Sequence, residues 1–139
     1  SFLGDGGLIW FLTMIVLWFI PNYRHLSKLM FVTIAIQALV VNVMLKPVFK
    51  RTRPFYNERS RLLLRKEPKD SSFPSAHSSS SFSMAGLMIF TRFPYWPIFL
   101  AIACGIALSR LVLFAHWLSD VLIGIGIGLF IAYIMVYYF

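Results

Sequence analysis

Cysteine is almost missing: Cys104 is the single one, so no disulfide can form within the chain, and its place inside an apolar run predicts a packed small residue. Charge is scarce as well. Charged side chains make up 13% of the 139 residues and only five are acidic, too few to cover the surface of a soluble domain of this size. Apolar residues take their place, at 59% with a mean hydropathy of +0.77. The 17% that are aromatic belong to a class that collects where hydrocarbon meets water. This is the composition of a membrane protein. The net charge of +8 does not point to nucleic acid, because most basic residues fall in one loop between hydrophobic spans, where anionic headgroups are the nearer partner.

Five apolar runs follow one another with no repeat and no soluble domain, so residues 1–139 read as one all-α integral-membrane helical bundle. The first run, residues 2–20, stops at Pro21 and Asn22. It begins abruptly, without an initiator methionine, and the expectation is a segment upstream of Ser1; a cleaved signal peptide is the weaker reading, since more spans follow. Residues 23–28 read as a short basic turn and 29–48 as the second span, with Lys46 able to snorkel toward headgroups. Residues 49–73 form the one long polar loop, interrupted by Pro54 and Pro68. Pro74 and Ser75 are the expected start of the third span, whose early serines must face protein or water rather than lipid. A turn at 91–97 leads to a fourth span over 98–114, and a fifth covers 117–139. Within the fifth, Gly124 and Gly128 stand four apart, a spacing that permits close backbone packing against a neighbouring helix.

Counting spans brings Lys46, Arg53, Ser75, His77, Arg110, His116 and Asp120 to one face, with the turns at 21–28 and 91–97 on the other. Three cations, a hydroxyl and a helix start with backbone amides make a receptor for a tetrahedral oxyanion. Two histidines add reactivity: one can attack phosphorus while the other protonates the leaving oxygen, with fixed cations stabilising the charge that develops. If the chain is helical from Ala115, His116 and Asp120 share a face, and the carboxylate can set the imidazole tautomer. Taken alone, a polar pair at a helix end explains those two residues as well.

Three stretches together carry a resemblance. Residues 46–54 read KPVFKRTRP and match KxxxxxxRP, residues 74–77 read PSAH against PSGH, and residues 109–120 match SRxxxxxHxxxD. In this order and helical context the chain resembles the type 2 phosphatidic acid phosphatase family, from about residue 29 to 139. The resemblance implies that His116 is the nucleophile, forming a phosphohistidine, with Asp120 as its orienting partner. It implies that His77 is the general acid, and that Lys46, Arg53, Ser75, Arg110 and the backbone amide of Ala76 hold the phosphate. Ala76 departs from the usual glycine, and its methyl is expected to narrow the backbone there and alter rate or selectivity. Lys50, Arg51, Arg59, Arg61, Arg65, Lys66 and Lys69 are explained by solvation and headgroup contact.

The expected function is hydrolysis of a membrane lipid phosphate or pyrophosphate, with undecaprenyl pyrophosphate, phosphatidylglycerophosphate and phosphatidic acid as candidates. No metal or cofactor is expected, and the partners are the lipid substrate and the bilayer. The alternative is a non-catalytic binder of anionic lipid, which would leave His77 and His116 dispensable. The resemblance implies a bacterial cell membrane with the site on the extracytoplasmic face, whereas the basic loop at 49–73 argues for the opposite orientation.

Overall fold

The computed structural model describes residues 7–52, 71–112 and 116–139. Regular structure among them is helical: α1 Gly7–Trp18, a 3-10 turn Pro21–Tyr23, α2 Arg24–Ala38 running through a π-helical stretch Leu39–Leu45 into α3 Lys46–Phe49, then α4 Ala76–Phe90, α5 Trp96–Val112 and α6 Leu118–Tyr138. Residues 21–49 are continuous, apolar and long enough to cross a bilayer. The basic turn expected at 23–28 is therefore mostly helix. Pro21, with its fixed φ, suits the first turn, and Arg24 carries the chain onward by donating from Nε to the Trp18 carbonyl at 3.1 Å. Pro97 likewise sits inside the first turn of α5 rather than in the turn before it. A proline costs nothing there, because a first-turn N–H has no carbonyl to meet.

The bundle is built inside out relative to a soluble protein. α4 is its axis: nearly every residue from Ser78 to Met88 is buried. The large apolar side chains left exposed, such as Phe11, Phe31, Leu108, Leu122 and Phe130, lie on the outer helices. Such a surface requires lipid around it. The serines of α4 face protein, as the sequence predicts: Ser81 accepts from the Trp10 indole N–H at 3.3 Å, and Ser83 donates to the Ser80 carbonyl at 2.7 Å. The α4–α6 contact depends on glycine. A Cβ at Gly124 would stand 2.7 Å from the Ser75 carbonyl oxygen, and one at Gly128 would overlap the backbone of Ser79 and Ser83. Cys104 departs from expectation; it is exposed on the outer face of α5 rather than packed.

The two ends of the bundle differ. At one, Tyr23 meets Phe93 edge-on at 5.0 Å, joining the turns that the span count puts together. At the other, Ser75 N–H donates to the Asp120 carbonyl at 3.2 Å, holding the starts of α4 and α6 side by side.

Candidate active site

Helix α4 begins at Ser75, which is fully buried and serves as N-cap. Its Oγ accepts from Ser78 N–H at 3.3 Å and donates to Ser78 Oγ at 2.9 Å. The hydroxyl expected to hold phosphate is engaged in starting the helix. What α4 presents is its first turn, with the amides of Ala76 and His77 at the positive end of a fifteen-residue helix. Ala76 costs nothing in backbone terms: it is helical, and the non-glycine residues with positive φ among those described are Lys50 and Arg92. The predicted narrowing at this position has no counterpart in its conformation.

His116 precedes α6 rather than lying on it. The helix starts at Leu118 with Trp117 as N-cap, because Asp120 Oδ2 accepts the Trp117 N–H at 2.8 Å and so fixes the first turn there. The shared helical face expected for His116 and Asp120 is thereby replaced. The Asp120 carboxylate stands 3.9 Å from His116 Nδ1, while the Ser72 carbonyl lies 2.7 Å from that nitrogen. A carbonyl can only accept, so Nδ1 carries the proton and, in the neutral ring, Nε2 holds the lone pair. The tautomer expected from the carboxylate is instead set by a backbone oxygen. His116 is buried, and its own N–H donates to the Arg110 carbonyl at 3.4 Å, which seats the end of α5 beside it.

Lys46 and Arg110 are 6% and 8% exposed, so neither snorkels out to the headgroups; both are buried in protein at the end of the bundle that holds His116. Arg53 lies outside the described residues. The sequence reading missed Arg51, assigned above to solvent. Its Nη1 donates to Asp120 Oδ1 at 2.9 Å and Ser119 Oγ at 2.7 Å, and its guanidinium lies 5.8 Å from the Trp117 ring centre. Gln37 was missed as well: almost fully buried in α2, it donates to the Ala76 carbonyl at 3.4 Å. Arg51 is legible only as an unspecified position two residues before the Arg-Pro of the first motif. Gln37 has no signal beyond being a polar residue in an apolar span.

A groove of about 480 Å³ runs between α1, α2 and α4 to His77. Phe11, Met14, Phe31, Ile34 and Ala38 line its length, and Gln37, Asn42, Ala76, His77 and Ser80 its head. From Asn42 to Phe31 is eleven residues of near-continuous helix, or roughly 16 Å of depth. The polar head of the groove, at the start of α4, thus lies at the end of the bundle that also carries Arg110 and His116, and its apolar length runs along the bundle's side.

The model of the PAP2 superfamily matches residues 26–139. No curated protein sequence matches the chain. Among solved structures, the fold is similar to the crystal structure of a transmembrane PAP2-type phosphatidylglycerolphosphate phosphatase from Bacillus subtilis. The TM-score is 0.72 and the identity 22%, over 91% of this chain and 65% of that one.

Proposed function

The chain belongs to the PAP2 superfamily, and from that premise and the site geometry we propose that it hydrolyses a lipid phosphate at headgroup level without a metal. The observation that carries this reading is the apolar groove ending at His77, since a soluble phosphate ester needs no such channel beside its reacting group. Phosphatidylglycerophosphate, the substrate class named for the Bacillus subtilis structure, phosphatidic acid and undecaprenyl pyrophosphate are the candidates, each pairing a phosphate for the His77 end with an apolar chain whose first part would follow Phe31 and Met14.

In the proposed reaction the phosphate lies over the first turn of α4 with Lys46 and Arg110 as counter-charges, joined by Arg53. The His116 Nε2 lone pair attacks phosphorus as the bond to the leaving oxygen breaks, and protonated His77 gives that oxygen its proton. Neutral His77 then takes a proton from water, whose oxygen attacks phosphorus, and the P–N bond breaks to release phosphate. Ser72 holds the proton on His116 Nδ1 in the ground state, and its carbonyl partly offsets the positive charge the ring gains as it attacks. Fixed cations and amides act where charge spreads over the equatorial oxygens.

The test is phosphate release from a panel of lipid phosphates with chelator present, for the parent and for Ala38→Trp, which fills the groove. The parent is expected to turn over at least one lipid. The variant is expected to raise KM for the long-chain substrate on the order of tenfold and to leave a short-chain analogue unaffected. Equal effects on both would remove the groove from the reading, and release abolished by chelator would remove its metal independence. The site is further proposed to face the extracytoplasmic side. A cysteine placed at Asn57 in a Cys104→Ser background is expected to react with an impermeant thiol reagent in intact cells, and labelling only after lysis would reverse the orientation.

A further inference from the structure

The loop that departs after α3 returns before α4, and its two described ends form a small knot against the start of α6. Lys50 ends α3 in the left-handed region at φ 42° and so turns Arg51 back toward α6. The Arg51 carbonyl accepts Ser72 N–H at 2.9 Å, and its own N–H donates to Ser71 Oγ at 2.9 Å. The Thr52 carbonyl accepts both Ser72 Oγ, at 3.3 Å, and the Trp117 indole N–H, at 2.8 Å. Ser72, held through its N–H and its hydroxyl, points its carbonyl at His116 Nδ1, 2.7 Å away. Among the described residues, the Trp117 indole bond and the Arg51 guanidinium on Ser119 and Asp120 tie this knot to the start of α6.

We infer that Arg51 is a positioning residue for His116. By pairing with Asp120, its guanidinium fastens the loop ends to α6 and thereby aims the Ser72 carbonyl that orients the imidazole. Asp120 is fully buried, with Oδ1 on Arg51 and Oδ2 on the Trp117 amide, so it acts as the anchor of this clamp while the Ser72 carbonyl is the atom that touches the imidazole. Loss of Arg51 leaves a buried carboxylate without its counter-charge and frees the Ser72 segment to shift. Displacement of a reacting group by about 1 Å costs on the order of a hundredfold in rate. Lysine restores the charge but not the planar guanidinium that lies over the Trp117 ring while its Nη1 reaches Ser119 and Asp120.

This inference rests on the phosphatase reading, and its test separates the two. Phosphate release and thermal unfolding in detergent are measured for the parent, Arg51→Gln, Arg51→Lys, Asp120→Asn and the Arg51→Gln/Asp120→Asn double variant. Arg51→Gln is expected to lower kcat on the order of a hundredfold with KM within about threefold of the parent. Arg51→Lys is expected to fall between the two, and Arg51→Gln to cost little once Asp120 is asparagine. Unchanged kcat, a rise in KM with kcat intact, or independent effects of Arg51 and Asp120 on rate would each overturn the inference, the second by making Arg51 a phosphate ligand. A parent that releases no phosphate sinks the phosphatase reading instead. The melting temperatures then still decide the pairing: non-additive shifts support the clamp and additive shifts overturn it. Should Arg51→Gln fail to fold, the kcat and KM of Arg51→Lys decide between the same outcomes.

Discussion

Replacing His116 with alanine is expected to cut phosphate release on the order of a millionfold, the scale on which covalent catalysis fails when its nucleophile is removed, while binding of the lipid survives. The expectation follows from where the ring sits. His116 is buried, its backbone is tied to the end of α5, and Nδ1 is 2.7 Å from a carbonyl that holds the proton on that nitrogen. No side chain at 116 lacking a ring nitrogen can supply the lone pair this arrangement gives Nε2. Lys46, Arg110 and the first turn of α4 remain, so KM is expected to change little. His77→Ala makes an informative contrast. A general acid contributes about 10² to 10⁴ in rate, and its loss is expected to shrink when the leaving group needs no proton, as with a nitrophenyl phosphate. Equal losses on both kinds of substrate would show that His77 does not protonate the leaving oxygen. A His116→Ala protein as active as the parent would end the phosphohistidine account.

The second large effect is expected far from any charged group. Gly128→Ala adds a Cβ that meets the backbone of Ser79 and Ser83, and main-chain atoms inside α4 cannot step aside as the tip of a flexible side chain can. Overpacking of this kind costs about 1–3 kcal/mol, more than the roughly 0.5–1 kcal/mol that alanine gains over glycine inside a helix. A lower melting temperature in detergent is the expected result. Gly124→Ala presses on the Ser75 carbonyl at 2.7 Å, one residue from the first turn of α4, so it is expected to lose activity as well as stability. Gly126 supplies the control: it shares the same helix, and a Cβ there meets nothing within 4 Å. Gly126→Ala is expected to melt no lower than the parent; an equal drop in all three would mean that crowding at the α4–α6 contact does not govern the response.

The spans were legible because the apolar runs stop at breaks such as Pro21, Lys50 and Arg92, and a membrane leaves few other ways to arrange such runs. The convergence of Lys46, His77, Arg110 and His116 at one end followed from counting them, and the glycine spacing in the fifth announced a close neighbour that proves to be the serine-rich helix α4. What escaped the sequence is local. A separation of four residues between His116 and Asp120 is compatible with a shared helical face, yet the same aspartate is also a good N3 residue, and its bond to the Trp117 amide starts the helix after the histidine instead. That single choice moves the carboxylate from the imidazole to Arg51. The acceptor that replaces it is a backbone carbonyl, which no side-chain pattern reveals. Ser75 shows the same competition, since a serine before a helix can cap it or hold a ligand and here its hydroxyl caps. Arg53, expected among the phosphate ligands, lies outside the described residues.

The most direct test is to trap the covalent intermediate. Purified protein is mixed with a lipid whose terminal phosphate is radiolabelled, quenched in alkali within the first turnover, and digested. The account predicts label that is stable to alkali, lost in acid, confined to the peptide containing His116 and missing from His116→Ala. An active protein that carries no label, or carries it on another residue, would contradict it.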